Sequence, residues 1–208
     1  MRPQVMHGPA GDRPVGIEYK PHELAALLNR QAVILKSSQG GVTFSGGEPL
    51  MQARFIAEVI ELLEGMHVLL DTSGYGSEQD FRLLLERIDL VYFDLKLADP
   101  AAHRYYTGCE NFSILQNLAA LSTSGVPYVI RVPLVPGVTD TKDNLGVIAK
   151  TASGLPGLLR VDLLPYNRVA GAKYASLGME FKPEYDEDTP VNVDRGIFQQ
   201  AGVEVRLV

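Results

Sequence analysis

Hydrophobic residues along the chain follow two alternating patterns. Short β-branched or aromatic runs predict strands, and apolar residues spaced three and four apart between them predict amphipathic helices. The predicted strands are residues 42–44, 68–70, 90–93, 128–132, 159–164 and 203–207. The predicted helices lie within residues 21–28, 55–63, 81–88, 114–121, 145–149 and 191–200. This repetition of strand and helix favours an α/β fold with a parallel sheet and right-handed crossovers.

Polar residues follow each predicted strand directly. In a parallel barrel or a doubly wound sheet, the carboxyl ends of the strands share one face, and binding sites are built there. The pattern therefore predicts a single mouth but does not identify its ligand. The residues expected at this mouth are Glu48, Asp71, Asp94, Lys96 and Asn167.

Composition limits the function classes. The chain has 208 residues, 46% hydrophobic and 21% charged, which suits one globular domain. A net charge of −6 argues against general nucleic-acid binding. No apolar run reaches the roughly 18–20 residues that a membrane span needs, and the N-terminus lacks a signal-peptide pattern. We therefore expect a cytoplasmic protein without a membrane partner.

Two segments lack a clear period. Residues 1–18 are rich in Gly and Pro and are predicted to form a flexible N-terminal arm before a domain at 19–208. Residues 171–190 are predicted to form a long, mobile polar loop.

The helix at 145–149 is expected to be capped by Thr139 or Asp140.

The segment from Gly40 to Leu50 reads GGVTFSGGEPL. One interpretation is a helix start, with Ser45 as the cap and Pro49 in the first turn. The other is a binding turn, in which Gly46 and Gly47 let a ligand approach the backbone and Glu48 accepts hydrogen bonds from a cationic group. The local pattern alone leaves both open.

This segment closely resembles the GGVTxSGGEP motif of the radical S-adenosylmethionine (SAM) enzymes that activate glycyl radical enzymes, of which the pyruvate formate-lyase activases are typical. Further matches follow in family order: DTSG at 71–74, DLK at 94–96, HRYYTG at 103–108, VPG at 135–137 and LLPY at 163–166. The resemblance covers the chain from about residue 19 onward. It implies a partial parallel (β/α) barrel that uses SAM to abstract a hydrogen from a glycine of a partner enzyme.

The resemblance also implies roles for particular residues. It implies a monovalent-cation site at Asp71, Thr72 and Asp94. At position 167 the family has His, whereas Asn can donate and accept hydrogen bonds but cannot titrate. The residues implied to contact SAM are Gly46, Gly47, Glu48, Asp71, Lys96, Arg131 and Asn167.

The family's cluster motif, CxxxCxxC, does not occur in the chain. Cys109 is its only cysteine, so an internal disulfide is excluded and the thiolates that a 4Fe-4S cluster requires are absent. We therefore expect a truncated barrel, missing the first strand and the cluster loop, that is inactive alone. For an intact member, the resemblance implies the cluster, a flavodoxin or ferredoxin electron donor and a glycyl radical enzyme partner.

The missing first strand has a structural consequence. It would leave the predicted strand 42–44 as an unprotected, apolar edge, and such edges pair with other chains. We therefore expect either self-association or coverage of this edge by residues 1–18.

Three functional hypotheses remain at this stage. The preferred one is an activase of glycyl radical enzymes, represented here by part of its length. The second is a degenerate homologue that binds SAM or a partner without radical chemistry. The third is an aldolase-like α/β barrel, for which Lys96 is the candidate Schiff-base lysine.

Overall fold

The computed structural model describes residues 4–6, 13–167, 174, 180 and 182–208. Its centre is a six-stranded parallel sheet in which the strands follow chain order from one edge to the other. The strands are β3 (Gly41–Phe44), β4 (His67–Thr72), β5 (Leu90–Asp94), β6 (Tyr128–Leu134), β7 (Leu158–Pro165) and β8 (Val205–Leu207). The predicted α/β class with a parallel sheet is confirmed.

Helices connect these strands. They are α1 (Pro21–Asn29), α2 (Ala32–Ser37), α3 (Ala53–Glu61), α4 (Glu78–Leu85), α5 (Pro100–Thr107), α6 (Phe112–Ser122), α7 (Lys142–Ala152) and α8 (Arg195–Gln200), with a 3₁₀ turn at Pro49–Gln52. Within the described residues, none of these helices has the length and apolarity to cross a bilayer.

The sheet has one covered face and one open face. Along β4 and β5, buried residues alternate with partly exposed ones, so that Val68, Leu70, Val91 and Phe93 point into the core. The helices pack on that side. The alternate residues, which include polar and charged ones, line the opposite face. Because the core needs only one face of the sheet, the other is available for binding.

The sequence located every strand of this sheet to within two residues, but it missed or misplaced parts of the helices. Helix α2 was not predicted, since its short run AVILK fits a strand as well as a helix. The last helix begins at Arg195 rather than near Val191, with Asp194 accepting a hydrogen bond from the Ile197 N–H as its cap.

The cap expected for α7 was wrong. Thr141 is the cap, and its hydroxyl accepts a hydrogen bond from the Asn144 N–H. Thr139 and Asp140 are used elsewhere: the Thr139 hydroxyl accepts from the Val135 N–H at 2.6 Å, and Asp140 accepts from the Gly137 and Asn192 N–H groups, both at 2.7 Å. Three consecutive polar residues each fit the local cap pattern, and only the loop conformation distinguishes them.

The N-terminal segment contains an antiparallel pair. Strand β1 (Gln4–Met6) pairs with β2 (Arg13–Val15). The flexible arm at 1–18 remains a prediction.

Much of the predicted loop at 171–190 lies outside the described residues. Its described part is tied down where Glu184 accepts a 2.5 Å hydrogen bond from the Tyr105 hydroxyl.

Candidate functional site

A polar cavity of about 250 Å³ lies at the carboxyl ends of β3, β4 and β5. It brings together all but one of the residues that the sequence pointed to. The exception, Asn167, is exposed after β7 and is not part of the cavity wall. The wall consists of Ser45, Gly46, Gly47, Glu48, Asp71, Thr72, Ser73, Asp94, Lys96 and Arg131.

The glycine turn after β3 forms one side of this cavity. Gly46 has a φ of +128°, which L side chains rarely adopt, and this explains the glycine there. A Cβ atom added at Gly46 or Gly47 would meet nothing within 4 Å, so both positions border open space. Their carbonyls accept no hydrogen bond within the described part of the chain. The turn therefore presents free backbone acceptors to a ligand.

Glu48, and not Ser45, caps the 3₁₀ turn that follows, so the interpretation with Ser45 as the cap was wrong. Its Oε1 accepts from the Leu50 N–H at 3.0 Å and from the Thr72 hydroxyl at 2.5 Å. Its Oε2 accepts from the N–H of Ser73 at 2.9 Å and from the hydroxyl of the same residue at 2.5 Å. The carboxylate thus joins the end of β3 to the end of β4, and both oxygens already have protein donors.

Arg131 lies at the floor of the cavity, where β6 brings it next to two aspartates. Its guanidinium makes a two-pronged ion pair with Asp71 and donates from Nε to Asp94 at 2.9 Å. It also lies over the Tyr92 ring, 5.3 Å from the ring centroid, which is a favourable position for a cation. The arginine that the sequence placed inside an apolar strand is therefore paired on the open face.

The protonation of this cluster reflects burial and charge together. Burial raises the pKa of the Asp94 carboxyl more than the positive charges of Arg131 and Lys96 lower it. Burial alone would lower the pKa of Arg131, but the carboxylates of Asp94 and Asp71 outweigh it, and the pKa is raised. Arg131 consequently remains a fixed cation.

Lys96 is the second cation of the cavity. Its Nζ lies 3.9 Å from Asp94, beyond hydrogen-bond distance, and its side chain is 37% exposed. Within the described residues it forms no closer contact with an acceptor. Its ammonium is therefore available to an anionic group in the cavity.

An adjoining, more apolar cavity of about 210 Å³ continues toward α5. It contains His103, the first residue of the HRYYTG match, which is only 5% exposed. Since a carbonyl can only accept, His103 Nδ1 donates to the Cys109 carbonyl at 2.8 Å. A hydrogen bond with the Cys109 thiol raises the pKa of Tyr75, which lines the same cavity.

The family resemblance implied two inorganic groups, a monovalent cation and a 4Fe-4S cluster. Asp71, Thr72 and Asp94 all line the cavity, but both carboxylates pair with Arg131 and the Thr72 hydroxyl donates to Glu48. The cation site stays a prediction. A 4Fe-4S cluster does not fit. The chain has one cysteine, and no cluster of metal-ligating side chains occurs among the described residues.

Several residues in or beside the cavity were missed by the sequence analysis. These are the hydroxyl donor Ser73, the aromatic floor at Tyr92, and a second ion pair between Arg160 and Asp162 on the same sheet face. Each of the last three lies on the open face of its strand. The alternation of polar with apolar residues within strands was the signal that could have located them.

Comparisons with known proteins identify the family of the chain. The model of the radical SAM superfamily matches residues 7–145. The chain is 34% identical over 169 residues to the pyruvate formate-lyase-activating enzyme of Clostridium pasteurianum, covering 80% of this chain and 71% of that enzyme. It is also 34% identical over 174 residues to the trans-4-hydroxy-L-proline dehydratase activating enzyme of Clostridioides difficile, with 82% and 58% covered.

Among solved structures, the fold resembles a domain of the pyruvate-formate lyase-activating enzyme from Bacteroides vulgatus. The TM-score is 0.65 at 26% identity, covering 81% of this chain and 99% of that domain. The chain spans between 51% and 58% of the length of several other activating enzymes that it matches in sequence.

Proposed function

The chain belongs to the radical SAM superfamily and, within it, to the activating enzymes of glycyl radical enzymes, and on this premise we propose that its strand-end cavity binds the amino-acid end of SAM. The observation that carries the proposal is the juxtaposition of an available ammonium, Lys96, with the free carbonyls of Gly46 and Gly47. An α-amino acid needs such a pair, because its carboxylate and ammonium share one carbon.

The charge of the cavity supports this assignment. Three carboxylates and two cations line it, which leaves one net negative charge. SAM carries a sulfonium in addition to its zwitterion and therefore has one net positive charge. In a cavity partly shielded from water, this complementarity favours SAM over its neutral thioether analogues.

Different residues of the cavity contact different groups of SAM in this proposal. Lys96 pairs with the SAM carboxylate, and the carbonyls of the glycine turn accept from the SAM ammonium. Glu48 contributes mainly by holding the turn in place, since both of its oxygens already accept protein hydrogen bonds. Asp71 and Asp94 lie below and add negative charge, which also suits a monovalent cation beside the ligand.

SAM, when bound and reduced, supplies the radical chemistry of this superfamily. The electron donor to that chemistry is assigned to no residue of this chain, because Cys109 alone does not fit a 4Fe-4S cluster. We propose that an enzyme containing this chain acts on a glycine of a glycyl radical enzyme, with a flavodoxin or ferredoxin as its electron source. Asn167 is proposed as a further, outlying SAM contact.

The single cysteine also favours a second candidate function. A chain that keeps the SAM cavity without cluster ligands suits a binding module without radical chemistry. The aldolase-like alternative loses its support through the superfamily membership of the chain.

Titration calorimetry tests the SAM site. We expect SAM to bind, and the Lys96→Ala variant to weaken it about 10- to 100-fold, because a charged hydrogen bond contributes about 1.5–3 kcal/mol. Lys150→Ala removes an exposed lysine from α7 and serves as the matched control, with affinity unchanged. 5′-Methylthioadenosine, which lacks the amino-acid end, should bind equally to all three proteins. Equal SAM affinity in the Lys96→Ala variant and the native chain would refute the assignment.

A further inference from the structure

A second ion pair lies on the open face of the sheet, beside the cavity. Arg160 donates from Nε to Asp162 Oδ1 at 2.8 Å and from a terminal nitrogen to Oδ2 at 3.0 Å. Asp162 is only 3% exposed. Neither residue lines the cavity, and neither is among the proposed SAM contacts.

The register of the sheet places Arg131 between two carboxylates. Its neighbour on β5 is Asp94, and its neighbour on β7 is Asp162. Partners in a parallel sheet point to the same face, and adjacent strands lie about 4.8 Å apart. A side chain as long as arginine can therefore reach the carboxylate on either side.

The structure shows that Arg131 takes one of these two options. Its guanidinium lies toward β5, on Asp94 and Asp71 and above the Tyr92 ring. Both oxygens of Asp162 instead accept hydrogen bonds from Arg160. The hydrogen bond with Asp162 is also the main reason why the pKa of Arg160 is raised.

We infer that Arg160 is a positioning residue for the cavity: by occupying both oxygens of Asp162, it leaves Arg131 to Asp71 and Asp94. Without Arg160, a buried and unpaired carboxylate would stand directly beside Arg131, and buried charges require a partner. Arg131 would then turn toward β7. The cavity would lose a cation from its floor, and Asp71 and Asp94 would lose their shared partner.

Ligand-free crystal structures of three variants test the position of Arg131. In Arg160→Gln, the Arg131 guanidinium is expected within 3.5 Å of Asp162 and away from Asp71. In Arg160→Lys, one ammonium cannot cover both oxygens in the fork geometry, and a partial shift is expected. In the double variant Arg160→Gln/Asp162→Asn, the competing charge is gone and Arg131 should return to its native position.

The position of Arg131 in the variants decides the inference. Arg131 remaining on Asp71 and Asp94 in both single variants overturns the inference. Should Arg160→Gln fail to fold, Arg160→Lys and the double variant still decide it, because they keep a counter-charge or remove the carboxylate. The inference is supported if the Arg131 guanidinium moves toward Asp162 in Arg160→Lys and lies at its native position in the double variant.

SAM calorimetry measures the consequence for binding, and this part rests on the proposed function. We expect SAM affinity to fall about tenfold in Arg160→Gln and to recover to within about twofold in the double variant. If the ion pair between Arg160 and Asp162 only stabilised the fold, the double variant would bind SAM at least as weakly as Arg160→Gln does. If the native chain does not bind SAM, the proposed function fails, while the crystal structures still report where Arg131 lies.

Discussion

Glu48 is the residue for which the structure gives the sharpest quantitative expectation. Its carboxylate accepts four hydrogen bonds from Leu50, Thr72 and Ser73, and two of these come from backbone N–H groups. The variant Glu48→Gln keeps the shape of the side chain but replaces one acceptor oxygen with an NH₂ group. Whichever way the amide is oriented, that NH₂ faces one backbone N–H, because each carboxylate oxygen serves one of the two.

The expected cost follows from these contacts. A hydroxyl can rotate and accept from the amide, but a backbone N–H cannot, and an unsatisfied one costs about 1–3 kcal/mol. Loss of the charge weakens the two bonds to the remaining oxygen as well. Since Glu48 is only half-buried, water offsets part of this, and we expect the free energy of unfolding to fall by about 2–3 kcal/mol.

Urea denaturation followed by circular dichroism measures this difference, with the midpoint shifting at an unchanged slope. Glu58→Gln, an isosteric change at an exposed position of α3, is the matched control and should lie within about 0.5 kcal/mol of the native chain. An equally small effect for Glu48→Gln would refute the argument that its carboxylate joins β3 to β4, and would return Glu48 to the role of a direct ligand of the SAM ammonium.

Three further predictions concern the core, the missing cluster and the sheet edge. The Tyr128 hydroxyl is buried without a hydrogen-bond partner among the described residues, so Tyr128→Phe should raise the free energy of unfolding by about 1 kcal/mol in urea denaturation. Burial raises the pKa of Tyr128 to about 12, above its ordinary value of 10.0. The free energy of unfolding should therefore be unaffected by this group below pH 10 and fall as the pH rises from 10 through 12, a fall that Tyr128→Phe should abolish. Anaerobic incubation with iron and sulfide should leave no stoichiometric cluster on the chain by iron counting, and a 4Fe-4S absorbance band on the monomer would contradict the one-cysteine argument. Strand β3 is an edge of the sheet, so sedimentation should show concentration-dependent association that Thr43→Lys reduces, and a monomer at all concentrations would require the edge to be covered within the chain.

The sequence determined the positions of the strands and the edge of the sheet at which the site lies. Alternating periods identified the strands, and the carboxyl ends of parallel strands necessarily share an edge, so the sequence alone placed together the polar residues that follow separate strands. Glu48, Asp71, Asp94 and Lys96 meet in one cavity for this reason. The motif resemblance added the family, which the comparisons confirm.

Only the tertiary structure decided how each side chain is used. Sequence patterns describe neighbours along the chain, whereas the partners of Glu48 lie on the next strand and those of Arg131 on two others. From the sequence, Glu48 could belong to a helix start or bind a ligand, and the partners of Arg131 were open. The pairing of β3 with β4 brought Glu48 to Thr72 and Ser73, and the pairing of β6 with β5 brought Arg131 to Asp94. Hydrogen bonds and ion pairs depend on such distances, which spacing along the chain does not fix.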